Sequence, residues 1–212
     1  FVLWIRQQVE AMFPENAGQG LIDQGGLKIE TSLDWQLQQA ADQAVKRVHE
    51  DHAKIYGAHN IALVAMDPTT RGIVAYVGNS DYNDNDHDGK VDMVRSARQP
   101  GSSFKPIVYA TAFERGLGPA TVLYDVPTKI GEDEPQNFDR KFLGPLTIRQ
   151  ALGASRNIPA AKAFFLAGGE ENVLSMAERL GVITPGLRRT EYKLTQPDFD
   201  YGWPLALGAG ET

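Results

Sequence analysis

The sequence predicts an α+β (α/β-type) fold, a short antiparallel sheet with a mainly helical subdomain. Ile61–Met66 and Ile73–Val77 are apolar runs of strand length on either side of Asp67-Pro68-Thr69-Thr70-Arg71-Gly72. Turn residues between two such runs read as a hairpin. The nearly continuous apolar character of both strands predicts a sheet covered by helices on at least one face. From Ser102 onward the apolar residues recur at helical spacing.

Taken in order, Ala11 to Gly26 is rich in Gly, Pro and Asn and reads as linker. Lys28 to Leu33 alternates in part and leads to Asp34, a suitable helix N-cap. Trp35 to about Ile55 follows as a helix, with Leu37, Ala41, Ala44, Val45 and Val48 on one apolar face. His49 and His52 sit three apart on it, as a metal pair would, but no obvious third ligand is near and packed or solvated histidines are the plainer reading. Beyond the hairpin, Pro100-Gly101 is a turn signal. A helix then begins, with Pro106 early enough to be tolerated and Ile107–Phe113 patterned for burial. Thr147–Ala154 reads as a short helix, and Pro159 is placed to open the next. Glu170–Leu180 is a further helix, with Val173, Leu174, Ala177 and Leu180 at helical spacing.

The length of 212 residues suits one domain, or one plus a linker, with a sizeable core. A net charge of −6 argues against broad nucleic-acid binding. The absence of cysteine removes disulfides, thiolate metal sites and cysteine nucleophiles, and says nothing about compartment. Phe1–Ile5 is apolar but far too short to span a bilayer.

Two short motifs carry chemistry. In Arg98–Pro106, Ser102 stands three positions before Lys105, so a hydroxyl and an amine share one helix face. A serine needs a nearby base to become nucleophilic, and Ser-x-x-Lys is one way of supplying it. Alone the match is weak, and a helix with a solvated lysine explains it. Downstream, Ser155-Arg156-Asn157 falls in a helix–helix connection, where polar side chains can point into a cleft. Alone it reads as a turn or cap. The two together are the first two signature elements of one enzyme group. Separately, Asp84, Asp86, Asp88 and Asp92 take calcium-loop positions one, three, five and nine, with Gly89 at six. Arg95 stands at position twelve, where a bidentate glutamate belongs, so an acidic surface loop is the favoured reading and no metal or other cofactor is expected.

Along nearly its whole length the chain resembles the transpeptidase domain of class A (bifunctional) penicillin-binding proteins. Gly25–Asp34 is similar to that family's first strand segment, Asn60–Pro68 and Gly72–Gly78 to its first hairpin, and Arg98–Pro106 to its nucleophile segment. Leu143–Ala161 resembles its second-motif region and Leu207–Thr212 the segment that follows. The third motif, Lys-Thr/Ser-Gly, does not occur in these 212 residues. The resemblance therefore implies a penicillin-binding protein/serine β-lactamase-like fold, incomplete at the C-terminus. Residues 1–26 are expected to be the linker from an upstream glycosyltransferase domain, and 27–212 the N-terminal part of the transpeptidase domain. Expressed alone, the 212 residues are expected to be poorly soluble and to acylate slowly, with the hairpin edge uncovered.

The implied activity is peptidoglycan D,D-transpeptidation on stem peptides ending in D-Ala-D-Ala. Ser102 would be the nucleophile, Lys105 the base, Ser155 a proton relay and Asn157 a partner of Lys105 and substrate. β-Lactams would be the second class of ligand, and the implied location is the extracytoplasmic face of a bacterial membrane, with the anchor outside this chain. A β-lactam-binding sensor or scaffold, a serine β-lactamase, and a calcium-dependent structural module carrying a chance motif stay open as alternatives. A glutamate loop of the β-lactamase kind is absent from the sequence.

Overall fold

Asp34 opens the longest helix, α3 (Trp35–Tyr56), by accepting a hydrogen bond from the Leu37 N–H at 2.9 Å. Gly57, at φ 62°, closes it in the left-handed conformation that favours glycine. The computed structural model describes residues 1–13 and 17–212. The described chain forms two compact units, Phe1–Ser96 and Ala97–Thr212.

In the first unit, α3 lays Ala41 and Val45 on Ala75 and Val77 of the hairpin β1 (Leu63–Met66) and β2 (Ile73–Val77). Leu37, expected on the buried face, is exposed. The strands pair antiparallel, with an irregularity between Ala65 and Met66. The turn is tied by the Asp67 carboxylate, which accepts from the Thr69 N–H and the Thr70 hydroxyl, both at 2.8 Å. The segment expected as a first strand, Gly25–Asp34, carries no strand ladder. Its main-chain contribution is the Asp34 N–H, which donates to the Val74 carbonyl at 2.9 Å. Next along that edge the Gln38 amide accepts from the Tyr76 N–H (2.8 Å) and donates to its carbonyl (3.1 Å), doing a strand's work from a helix. Within Ala11–Gly26, read from its composition as irregular, α2 (Ala17–Gln24) is a helix; α1 (Val2–Ala11) precedes it, and Pro14, Glu15 and Asn16 lie outside the described residues.

The second unit is built on the helix after Ser102. Gly101–Phe104 form a 3-10 turn that runs into α4 (Lys105–Glu114). Phe104, Val108, Tyr109 and Ala112 are buried against α6 (Asn157–Leu166) and α7 (Glu170–Arg179). The helical half also contains strands that the periodicity did not reveal. β3 (Val122–Asp125) and β4 (Gly144–Thr147) pair antiparallel, and each is only four residues long. Thr147 then opens α5 (Ile148–Gly153) with a capping box to Gln150. α8 (Thr184–Thr195) was likewise not anticipated, although Pro185 in its first turn is a start signal.

One glycine pair positions the functional turn. Gly101 and Gly208 both have positive φ, 57° and 78°. A Cβ on Gly208 would stand 2.2 Å from the Gly101 carbonyl oxygen, so only glycine lets the two backbones meet beside Ser102.

Candidate active site

Ser102 lies in the 3-10 turn, one turn ahead of α4 rather than inside its first turn. In a 3-10 turn residues i and i+3 eclipse, so the spacing still aligns Ser102 with Lys105. Ser102 is exposed and its hydroxyl makes no hydrogen bond among the described residues. Ser103 donates its hydroxyl to the Pro100 carbonyl at 2.6 Å and is thereby engaged in the turn itself. Lys105 is fully buried.

The second motif folds around a helix end. The Ser155 N–H donates to the Leu152 carbonyl and the Arg156 N–H to the Ala151 carbonyl, both at 2.9 Å. These are the two bonds of a Schellman closure of α5, with Ser155 at the left-handed position. Its φ is 51°, where glycine is the usual occupant and another residue pays about 1–2 kcal/mol. Arg156 is the N-cap of α6 and Asn157 its first residue, so the triplet straddles the connection and the helix starts before Pro159.

Four groups thus converge. The Lys105 Nζ donates to the Ser155 carbonyl (2.6 Å) and the Asn157 Oδ1 (2.7 Å), and lies 3.2 Å from the Ser155 hydroxyl. Ser102, Ser155 and Asn157 share a cavity of about 490 Å³ with Phe138, Asp139, Ala154 and Arg156. Phe138 stands fully exposed at this site. Burial pulls the Lys105 ammonium down to about 8, and the Arg156 guanidinium pushes the same way. A neutral amine has two N–H bonds and one lone pair. The Ser155 carbonyl and Asn157 Oδ1 can only accept, so they take both N–H bonds and leave the lone pair for a hydroxyl.

The other candidates do not join this site. His49 packs edge-on to His59, with centroids 6.4 Å apart, and His52 on Tyr56 at 5.4 Å. In the acidic loop the Asp84 carboxylate accepts from the Asp86 and His87 N–H groups and meets the His87 ring at 2.8 Å. Asp92 accepts the Tyr76 hydroxyl at 2.6 Å. Among the described residues, no three His, Asp or Glu side chains are grouped to hold a metal ion. With the Asp84 and Asp92 carboxylates already engaged and Arg95 at position twelve, calorimetric titration of calcium should show no micromolar binding. Micromolar affinity would reinstate Asp84, Asp86, Asp88 and Asp92 as ligands.

A lysine sunk behind an exposed serine and held by a Ser-x-Asn turn is the arrangement of the first two signature motifs shared by serine β-lactamases and penicillin-binding proteins. The chain belongs to the penicillin-binding protein transpeptidase domain family, whose model, "Penicillin binding protein transpeptidase domain", matches residues 61–195. This is a bacterial family of peptidoglycan synthesis. Penicillin-binding protein 1C of Escherichia coli is 38% identical over 136 residues, covering 64% of this chain and 17% of that protein. The chain therefore spans about a sixth of the length of that curated relative. Among solved structures, penicillin-binding protein 1A of Haemophilus influenzae is 32% identical with a TM-score of 0.54, over 72% of this chain and 21% of that one. The PonA1 protein of Mycobacterium tuberculosis in complex with penicillin V is 25% identical with a TM-score of 0.75, over 98% of this chain and 52% of that one. The fold is that of penicillin-binding transpeptidase domains, as the sequence resemblance implied. Among the described residues no helix is long and apolar enough to cross a membrane.

Proposed function

We propose that the chain is part of a peptidoglycan D,D-transpeptidase that works through an acyl-enzyme on Ser102. The supporting observation is the burial of Lys105 with both N–H bonds committed to carbonyl acceptors. Ser102 gives its proton to the Lys105 lone pair as its oxygen attacks the carbonyl carbon of the penultimate D-alanine. The Ser102 N–H, at the start of the 3-10 turn ahead of α4 where N–H groups lack an acceptor within the helix, faces the developing oxyanion. The proton passes from Lys105 through the Ser155 hydroxyl to the departing nitrogen, the C–N bond breaks, and the terminal D-alanine leaves. An amine of a neighbouring stem peptide then attacks the ester, restores the Ser102 hydroxyl and forms the cross-link. Water in its place gives carboxypeptidase activity. A β-lactam follows the first half and stays attached to Ser102.

In this reading residues 1–26 link to an upstream glycosyltransferase domain, residues 27–212 are part of the transpeptidase domain, and the site works on the extracytoplasmic side of the membrane. No cofactor takes part. The family match at 61–195 and the penicillin V complex of the similar PonA1 structure support a penicillin-reactive serine over a chance motif. Penicillin treatment of the full-length protein followed by peptide mass mapping should find the adduct on Ser102. An adduct on Ser103, or one that survives Ser102→Ala, refutes the assignment. Release of the adduct without cross-linking would favour a sensor or β-lactamase.

The strain at Ser155 yields a second expectation. Ser155→Gly removes a left-handed penalty of about 1–2 kcal/mol and also removes the relay hydroxyl. The variant should melt at or above the parent temperature yet acylate more slowly. Undiminished acylation would exclude the relay.

A further inference from the structure

The Ser155–Asn157 turn is held from behind by a buried polar chain that touches no substrate cavity at its root. Asp125, at the end of β3, is fully buried; Asn137 and Arg156 are 3% and 6% exposed. The Asp125 Oδ1 accepts from the Asn137 side-chain amide at 2.7 Å, and its Oδ2 accepts from the Arg156 Nε at 2.8 Å and the Leu143 N–H at 3.0 Å. The Asn137 Oδ1 in turn accepts the Asn157 backbone N–H at 2.7 Å. Arg156 also donates to Asp139 at 3.0 Å and to the Lys141 carbonyl. The Asn157 Nδ2 donates to the Gln136 carbonyl at 2.8 Å, which turns its Oδ1 toward Lys105.

We propose that Asp125 and Asn137 are positioning residues that act through Arg156 and Asn157 to hold the two carbonyl acceptors of Lys105 in place. This rests on the acyl-enzyme reading above. Three physical facts point to it. A buried ion pair contributes little to stability compared with an apolar replacement, so its value lies in geometry. Ser155 sits in a left-handed conformation that surrounding contacts must enforce. The bonds from Asp125 and Asn137 arrive one on each side of the Arg156–Asn157 peptide, at the Arg156 side chain and the Asn157 N–H, so together they fix both the backbone and the direction of the Asn157 amide. Misplacing a catalytic group by an ångström costs about a hundredfold in rate.

The test is penicillin acylation of the full-length protein, resolved into binding and the first-order acylation step, with melting temperature alongside. Asp125→Asn and Asn137→Asp each break the donor–acceptor match and should slow the acylation step about tenfold to a hundredfold at nearly unchanged penicillin binding. Asn137→Ser, too short to reach the Asn157 N–H while leaving the Asp125–Arg156 pair intact, carries the test if Asp125→Asn does not fold. Parent-like acylation in the folded single variants would overturn the proposal. Ser102→Ala and Lys105→Ala run beside them: acylation persisting in those controls sinks the acyl-enzyme reading itself, whatever the network variants do.

Discussion

Acylation of the full-length protein by penicillin should rise about tenfold between pH 7 and pH 9, and fall by roughly a hundredfold to ten-thousandfold in Lys105→Ala. The base form of Lys105 is the neutral amine. With its ammonium pulled down to about 8, about a tenth is neutral at pH 7 and about nine-tenths at pH 9. The rate should follow that fraction and level off above it. Lys105→Ala should lose this rising limb together with the rate, because among the described residues no other amine meets the Ser155 and Asn157 acceptors. Rates from stopped-flow or fluorescent-penicillin labelling across pH 6 to 10 check both parts. A flat profile in the parent, or a Lys105→Ala variant within threefold of it, would remove Lys105 from the chemistry. The same shift has a stability consequence. Between about 8 and the ordinary 10.5 the unfolded chain still holds the lysine proton while the folded chain has lost it. Stability should therefore increase as pH rises through that window.

Asp125→Ala should destabilise the domain by about 3–5 kcal/mol, the largest effect expected of any single substitution here. It leaves the Arg156 guanidinium, with a side chain 7% exposed, in the interior without its innermost counter-charge. It also leaves one N–H of the Asn137 amide and the Leu143 N–H without their acceptor, while the Asn137 amide keeps the Lys141 carbonyl at 2.9 Å. Asp139 remains, but its carboxylate is 44% exposed and screened by solvent, so it compensates weakly. Urea unfolding with a probe on the transpeptidase domain measures the loss. Replacing both partners, Asp125→Leu with Arg156→Met, should cost far less than the single change because no charge is left buried. A loss below about 1 kcal/mol for Asp125→Ala would show that Arg156 finds water when unpaired.

Much of this protein was legible in its sequence. The hairpin, α3 with its Asp34 cap and α7 all follow from local rules: turn residues between apolar runs, a capping carboxylate, and apolar side chains that share a helical face. Those rules act within a few residues, so one sequence suffices to read them. Composition pointed to irregular chain over Ala11–Gly26, yet Ala17–Gln24 within it is the helix α2. β3 and β4 were missed because four-residue strands carry too little alternation to register, and their pairing joins residues some twenty apart.

The sequence by itself determined which groups make up the candidate site: a serine, a lysine, a second serine and an asparagine in two motifs. Only the tertiary structure decided their states. It buried Lys105, so that desolvation and Arg156 favour the neutral amine. It forced Ser155 into a left-handed turn whose carbonyl meets that amine. It also tied Arg156 and Asn157 to Asp125 and Asn137, two residues with no signature of their own. The reason is that burial, and hydrogen bonds between distant segments, depend on how elements pack, and packing is a property of the whole chain that no short motif encodes.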